Sequence, residues 1–157
     1  MKKKLYRIGI AVIVCLLIGS LSGIATQSSI NSWYPTLIKP SFTPPNWIFG
    51  PVWSVLYVMM GVAAGIVWSK GLYHKWVKVA LYHFGFQLLL NAAWSIFFFG
   101  FKNPFIALID IIALFILLLF TVKWFTVVNS TAAYLLIPYI IWVAFATALN
   151  FGIWQLN

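Results

Sequence analysis

Three groups of polar and aromatic residues recur at helical spacing within otherwise apolar sequence, and any chemistry would reside there. Gln87, Asn91 and Trp94 lie four and three residues apart, so on a helix they share one face. Tyr139, Trp142, Ala146 and Asn150 repeat at i, i+3, i+7 and i+11, with a small residue between larger ones. Trp53, Tyr57, Met60 and Ala64 do the same. Asp110 is the only acidic residue, and an unpaired carboxylate within an apolar segment is costly. Amides, phenols and indoles so spaced can bond to one another or hold a ligand. Paired-carboxylate catalysis is excluded, and a carboxylate relay of the kind ion pumps use is disfavoured. The chain has no HExxH, CxxC, phosphate loop or GxSxG, and no metal site is expected. His83 reads as a helix-end hydrogen-bonding residue, and the lone Cys15 can form no internal disulfide.

The elements that position these residues follow from composition. Apolar residues make up 64% of the 157 positions and charged residues 7%, against roughly 45–50% and about 25% in soluble domains. A hydrocarbon core about 30 Å thick takes roughly 20 apolar residues per crossing. The chain therefore reads as one all-α domain, residues 1–157, a bundle of five membrane-spanning helices over about 8–26, 47–69, 79–101, 104–125 and 132–153. The basic start, Lys2 to Lys4 and Arg7, also suits a signal peptide; the first apolar stretch is nearer a full span, and Ala25-Thr26-Gln27 is a poor cleavage site. Pro51 and Pro104 fall in first helical turns, whereas Pro138 lies inside the fifth segment and should kink it or loosen a backbone carbonyl. The long first link, about 27–46, holds Trp33-Tyr34-Pro35, Lys39-Pro40 and Pro44-Pro45. It is stiff and aromatic, and reads equally as a lid or as an interfacial loop.

Net charge of +9 could suggest a nucleic-acid partner, but the basic residues lie in links and helix ends, and none is expected. They orient the bundle instead. With the N-terminus in the cytoplasm, eight basic residues lie inside and only Lys39 and Lys102 outside, so the loop and the C-terminus face outward. Trp53, Tyr57, Trp94, Asp110, Ala146 and Asn150 then share the outer half of the bilayer, beneath the loop. That convergence describes either a ligand cavity or a set of interhelical hydrogen bonds. Trp53, Trp142 and Ala146 favour the cavity; Gln87, Asp110 and Asn150 read as structural polar groups, with Asp110 bonded to Asn or Trp donors. Trp33, Trp68, Trp76, Trp124 and Trp154 lie near segment ends as membrane-interface anchors. Two GxxxG elements, Gly19 to Gly23 and Gly61 to Gly65, permit close helix approach within one chain or between two.

The run from Trp33-Tyr34-Pro35 through Lys39-Pro40, Pro44-Pro45 and Gly50-Pro51-Val52-Trp53 to Tyr57 resembles the signature of the TspO/MBR family, the tryptophan-rich sensory and translocator proteins. The likeness continues through Gln87 to Trp94, Asp110, Pro138-Tyr139 and Trp142 to Asn150. It implies a five-helix bundle, commonly a homodimer, that binds porphyrins such as protoporphyrin IX and isoquinoline carboxamide or benzodiazepine-type ligands under the first loop. Carried over by position, the ligand-lining residues are Tyr34, Pro44, Trp53, Asn91, Trp94, Trp142 and Ala146, with Tyr57 beside them. The resemblance also implies oxidative degradation of porphyrin in light, with Trp53 and Trp142 as its catalytic residues; porphyrin is then ligand or substrate, and no cofactor is required. A transporter of porphyrins or other lipid-soluble metabolites is the alternative, although no internal repeat is present. The Tyr-plus-basic cholesterol segment of animal members is absent from Leu149 to Asn157. A bacterial cell membrane is the expected location.

Overall fold

A computed structural model describes residues 1–157 as helices and links with no strand. The α-helices are α1 (Lys2–Ile30), α2 (Phe49–Ser69), α3 (Lys75–Ser95), α4 (Pro104–Val128), α5 (Ser130–Tyr134) and α6 (Ile137–Leu156). Four segments, Lys2–Ile30, Asn46–Ser69, Pro104–Val128 and Ser130–Leu156, are long and apolar enough to cross a membrane. The remaining long helix, α3, misses that mark because it carries Lys75, Lys78, His83, Gln87 and Asn91. Its 21 residues still reach about 31 Å, the thickness of the hydrocarbon core.

Large apolar side chains lie on both sides of the wall. Ile13, Leu17, Leu21, Leu89, Ile109, Ile112 and Ile116 are exposed on the outside, where lipid rather than water must cover them. Met60, Leu114, Leu118, Phe125 and Tyr139 are fully buried within the bundle. α1 packs chiefly on α2, α3 on α4, and α4 on α6.

The helix ends differ from the sequence reading in ways that matter to the site. α1 runs on to Ile30, beyond the expected end near Thr26, and Ser22 and Ser28 within it return their hydroxyls to the carbonyls of Ile18 and Ala25. α3 begins at Lys75, and its continuation over Ile96–Gly100 is a π turn closed by the Phe101 amide on the Ile96 carbonyl at 2.8 Å. Such a turn inserts an extra residue and sets Phe98 and Phe99 side by side, both buried. Ser29 Oγ of α1 donates to the Phe99 carbonyl at 2.7 Å and ties α1 to it.

Pro138 does not kink a continuous helix. It occupies the first turn of α6, and the chain breaks before it at Leu135 and Leu136. A proline ring excludes the carbonyl four residues back, which is Tyr134, the last residue of α5. Pro104 opens α4 behind Asn103, whose side chain accepts from the Phe105 and Ile106 amides at 3.2 and 3.1 Å.

Candidate functional site

Toward the loop end, α1, α2, α3 and α6 part around a cavity of about 440 Å³. Trp53 and Tyr57 enter it from α2, Asn91 and Trp94 from α3, Trp142 and Ala146 from α6, and Tyr34 from the loop. Pro44, placed there by family position, is not among the lining residues; it lies half-buried in the loop outside the cavity. Asn150 also lines the cavity, while Gln87 and Asp110 lie outside it. Trp53 and Trp142 meet nearly perpendicular, with centroids 6.4 Å apart, and Phe49 packs edge-on to Trp142 at 6.1 Å. Trp94 stacks on Phe98 at 5.3 Å. The wall is thus a set of flat apolar faces at several angles, suited to a planar aromatic guest.

A chain of hydrogen bonds backs this wall. The Tyr57 hydroxyl donates to Asn91 Oδ1 at 2.7 Å, Asn91 Nδ2 donates to the Tyr139 oxygen at 2.6 Å, and the Tyr139 hydroxyl donates to Gln87 Oε1 at 2.8 Å. All four residues are buried. Asn91 is therefore held in one orientation, with a single amide hydrogen left for a ligand. A second chain runs from Trp94 Nε1 to Asn150 Oδ1 at 2.9 Å, and from Asn150 Nδ2 to the Pro104 carbonyl at 2.8 Å, linking α3, α6 and α4. Asp110 takes part in neither. Its Oδ2 is buried without a partner, so the expected bond from an Asn or Trp donor is absent, and Trp94 and Asn150 bond to each other instead. Trp142 Nε1 is also buried without a partner, at a residue that lines the cavity.

The α1 side of the cavity was not among the expected residues. Leu16, Gly19, Gly23, Thr26, Gln27 and Ile30 line it, at spacings that form one helical face. That small and polar stripe is visible in the sequence, but Gly19 and Gly23 also read as a packing motif. Gly19 lies against the Tyr57 ring, whereas a side chain at Gly23 would meet open space. Ser20, Gln27, Gly50 and Ser54 are lining residues that remain exposed, so the cavity opens between α1 and α2.

The loop closes the end of the bundle. Tyr34 is buried against Phe98 and Phe99, and Phe42 packs on Phe145 at 6.1 Å. Burial pushes the Tyr34 phenol up to about 12, so it stays neutral at physiological pH. Lys39 folds over the Tyr34 ring and donates to the carbonyls of Tyr34 and Leu37 at 3.0 and 3.1 Å. Asn157 grips Ile38 from both sides: its Oδ1 accepts the Ile38 amide at 3.0 Å and its Nδ2 donates to the Ile38 carbonyl at 2.8 Å. Asn157→Ala removes both bonds. Hydrogen exchange at the Ile38 amide should then quicken by roughly tenfold, the worth of about 1.4 kcal/mol of lost bonding; an unchanged rate would mean that packing alone holds the loop.

Residues 11–155 match the TspO/MBR family. The chain belongs to that family. It is 40% identical over its whole length to the Tryptophan-rich protein TspO of Chlorobaculum tepidum, covering 99% of that protein. It is 43% identical to the TspO of Archaeoglobus fulgidus over 94% of each chain. It is also 41% identical to the Translocator protein of Homo sapiens, over 80% of this chain and 75% of the human one. Membership in the TspO/MBR family makes this an integral membrane helical bundle with a role of the binding or transport type.

Proposed function

We propose that the cavity binds porphyrins, protoporphyrin IX in particular, and isoquinoline carboxamide or benzodiazepine-type ligands. The observation that carries this reading is the wall itself: Trp53, Trp94 and Trp142 present flat indole faces around one space, with Trp142 Nε1 as an unpaired donor inside the bundle. A planar ligand would stack on the rings, and a carbonyl or carboxylate would accept from Trp142 or from the remaining Asn91 hydrogen. Tyr57 and Tyr139 hold the Asn91 amide in the one orientation that leaves this hydrogen free.

Quenching of tryptophan fluorescence by protoporphyrin IX in detergent, in the dark, tests binding; absorbance under illumination tests degradation. Wild type should quench saturably. Trp53→Phe with Trp142→Phe keeps two flat rings but loses the Trp142 donor, so dark binding should persist more weakly. Light-dependent bleaching should stop if these indoles donate an electron to the excited ring, with dissolved dioxygen as the oxidant, or trap the reactive oxygen that forms there. No saturable quenching would remove the tetrapyrrole reading, and bleaching at the wild-type rate in the double variant would assign these indoles to binding alone.

The family resemblance further supports a homodimer. The eight basic residues on one side of the proposed topology support a cytoplasmic N-terminus and an outward loop in a bacterial cell membrane.

A further inference from the structure

A second cavity, of about 400 Å³, lies in the opposite half of the bundle between α1, α2 and α3. Its lining includes Ile10 and Val14 of α1, Ala64 and Trp68 of α2, and Leu81 and Phe84 of α3, and every lining residue is hydrophobic. The two cavities share no lining residue, although their linings come within one residue of each other at Cys15 and Leu16 of α1. Val14 is 45% exposed, so the groove meets the lipid-facing surface.

Each helix that lines the groove carries positive charge just beyond it. On α1, Lys3 and Arg7 continue the face of Ile10 and Val14 at helical spacing; Lys70 follows α2; Lys78 precedes Leu81 by three residues on α3. Arg7 is fixed at the mouth. Its Nη1 donates to the Trp68 carbonyl at 3.2 Å, and its guanidinium lies 5.6 Å from the centre of the Trp68 ring, itself part of the groove wall. A guanidinium has five donor hydrogens, so most remain free for an anion. No carboxylate side chain offsets this charge at that end. Asp110, the only one, lies 13 residues from Lys123 along α4, about 20 Å away.

An apolar slot open to lipid, with a tethered guanidinium and unpaired ammonium groups at its mouth, matches one class of molecule. The geometry points to a binding site for an anionic phospholipid, with an acyl chain in the groove and the phosphate at Arg7. A zwitterionic lipid would fill the slot equally well but would bring its own ammonium to a cationic mouth. This site is independent of the porphyrin reading.

Native mass spectrometry of the full chain in mild detergent, with dioleoyl phosphatidylglycerol or dioleoyl phosphatidylcholine added, tests it. Wild type should retain phosphatidylglycerol the more tightly. Arg7→Gln should lower that retention about fivefold, the effect of one basic residue near a membrane surface, and lower that of phosphatidylcholine, whose ammonium offsets its phosphate, by less. Val14→Trp, at a half-exposed position where an indole fills the slot, should lose one bound lipid of either kind; near-ultraviolet circular dichroism checks that both variants are folded. Equal retention of the two lipids by wild type would overturn the proposal, as would unchanged phosphatidylglycerol retention in either variant. Loss of a dimer mass in Val14→Trp with no change in lipid would instead give the groove to a second copy of the chain.

Discussion

Gly65→Leu should leave little folded protein, because α1 and α2 touch there backbone to backbone. A Cβ at Gly65 would run into the Ile8 Cα, and one at Gly61 into the Val12 Cα, atoms that cannot move aside as a side chain could. Overpacking within a core costs about 1–3 kcal/mol when side chains can adjust; here a whole helix must shift, and the cost should exceed that range. The measurement is recovery of a monodisperse peak in mild detergent, together with the thermal midpoint. Gly23→Leu is the control, since nothing lies within 4 Å of a Cβ at Gly23. If Gly65→Leu purifies and melts like wild type, the α1–α2 contact does not hold the bundle together. The same contact shapes the site: the two helices touch near Ile8 and Val12, and toward the loop the cavity opens between them.

Ala146→Phe should weaken protoporphyrin IX by roughly a hundredfold, about 2.7 kcal/mol, with little loss of stability. Ala146 sits on α6 between Trp142 and Asn150 and lines the cavity, so a phenyl ring there would occupy the space a planar ligand needs. Its expected direction is into a void rather than into packed atoms, which separates this change from Gly65→Leu. Dark fluorescence quenching gives the affinity, and the thermal midpoint in detergent reports the fold. An unchanged quenching curve would place the ligand elsewhere, whatever the tryptophan variants show.

Much of this was legible in sequence because helical periodicity is local. The stripes Gln87-Asn91-Trp94 and Tyr139-Trp142-Ala146-Asn150 each needed only one helix to align them, and each lies along one helix in the structure. The length and apolarity of the segments likewise determined a membrane bundle, since water cannot solvate such a composition. On α1 the stripe of Gly19, Gly23, Thr26 and Gln27 was visible, but its glycines read as a helix-packing motif, so its part in the cavity wall was missed.

The tertiary structure alone decided the pairings. Asn150 could have met Asp110, but the rotation of α3 and α6 gives it Trp94 and the Pro104 carbonyl and leaves Asp110 Oδ2 without a partner. The grip of Asn157 on Ile38 joins residues 119 apart in sequence, beyond the reach of any local pattern. The π turn that sets Phe98 beside Phe99 comes with the bond from Ser29 to the Phe99 carbonyl, a contact with another helix. A sequence determines which side chains share a helical face, because that follows from 3.6 residues per turn. Which faces meet, and where two helices part to leave a cavity, is decided by close contacts between distant residues such as Gly65 and Ile8, and no periodicity records these.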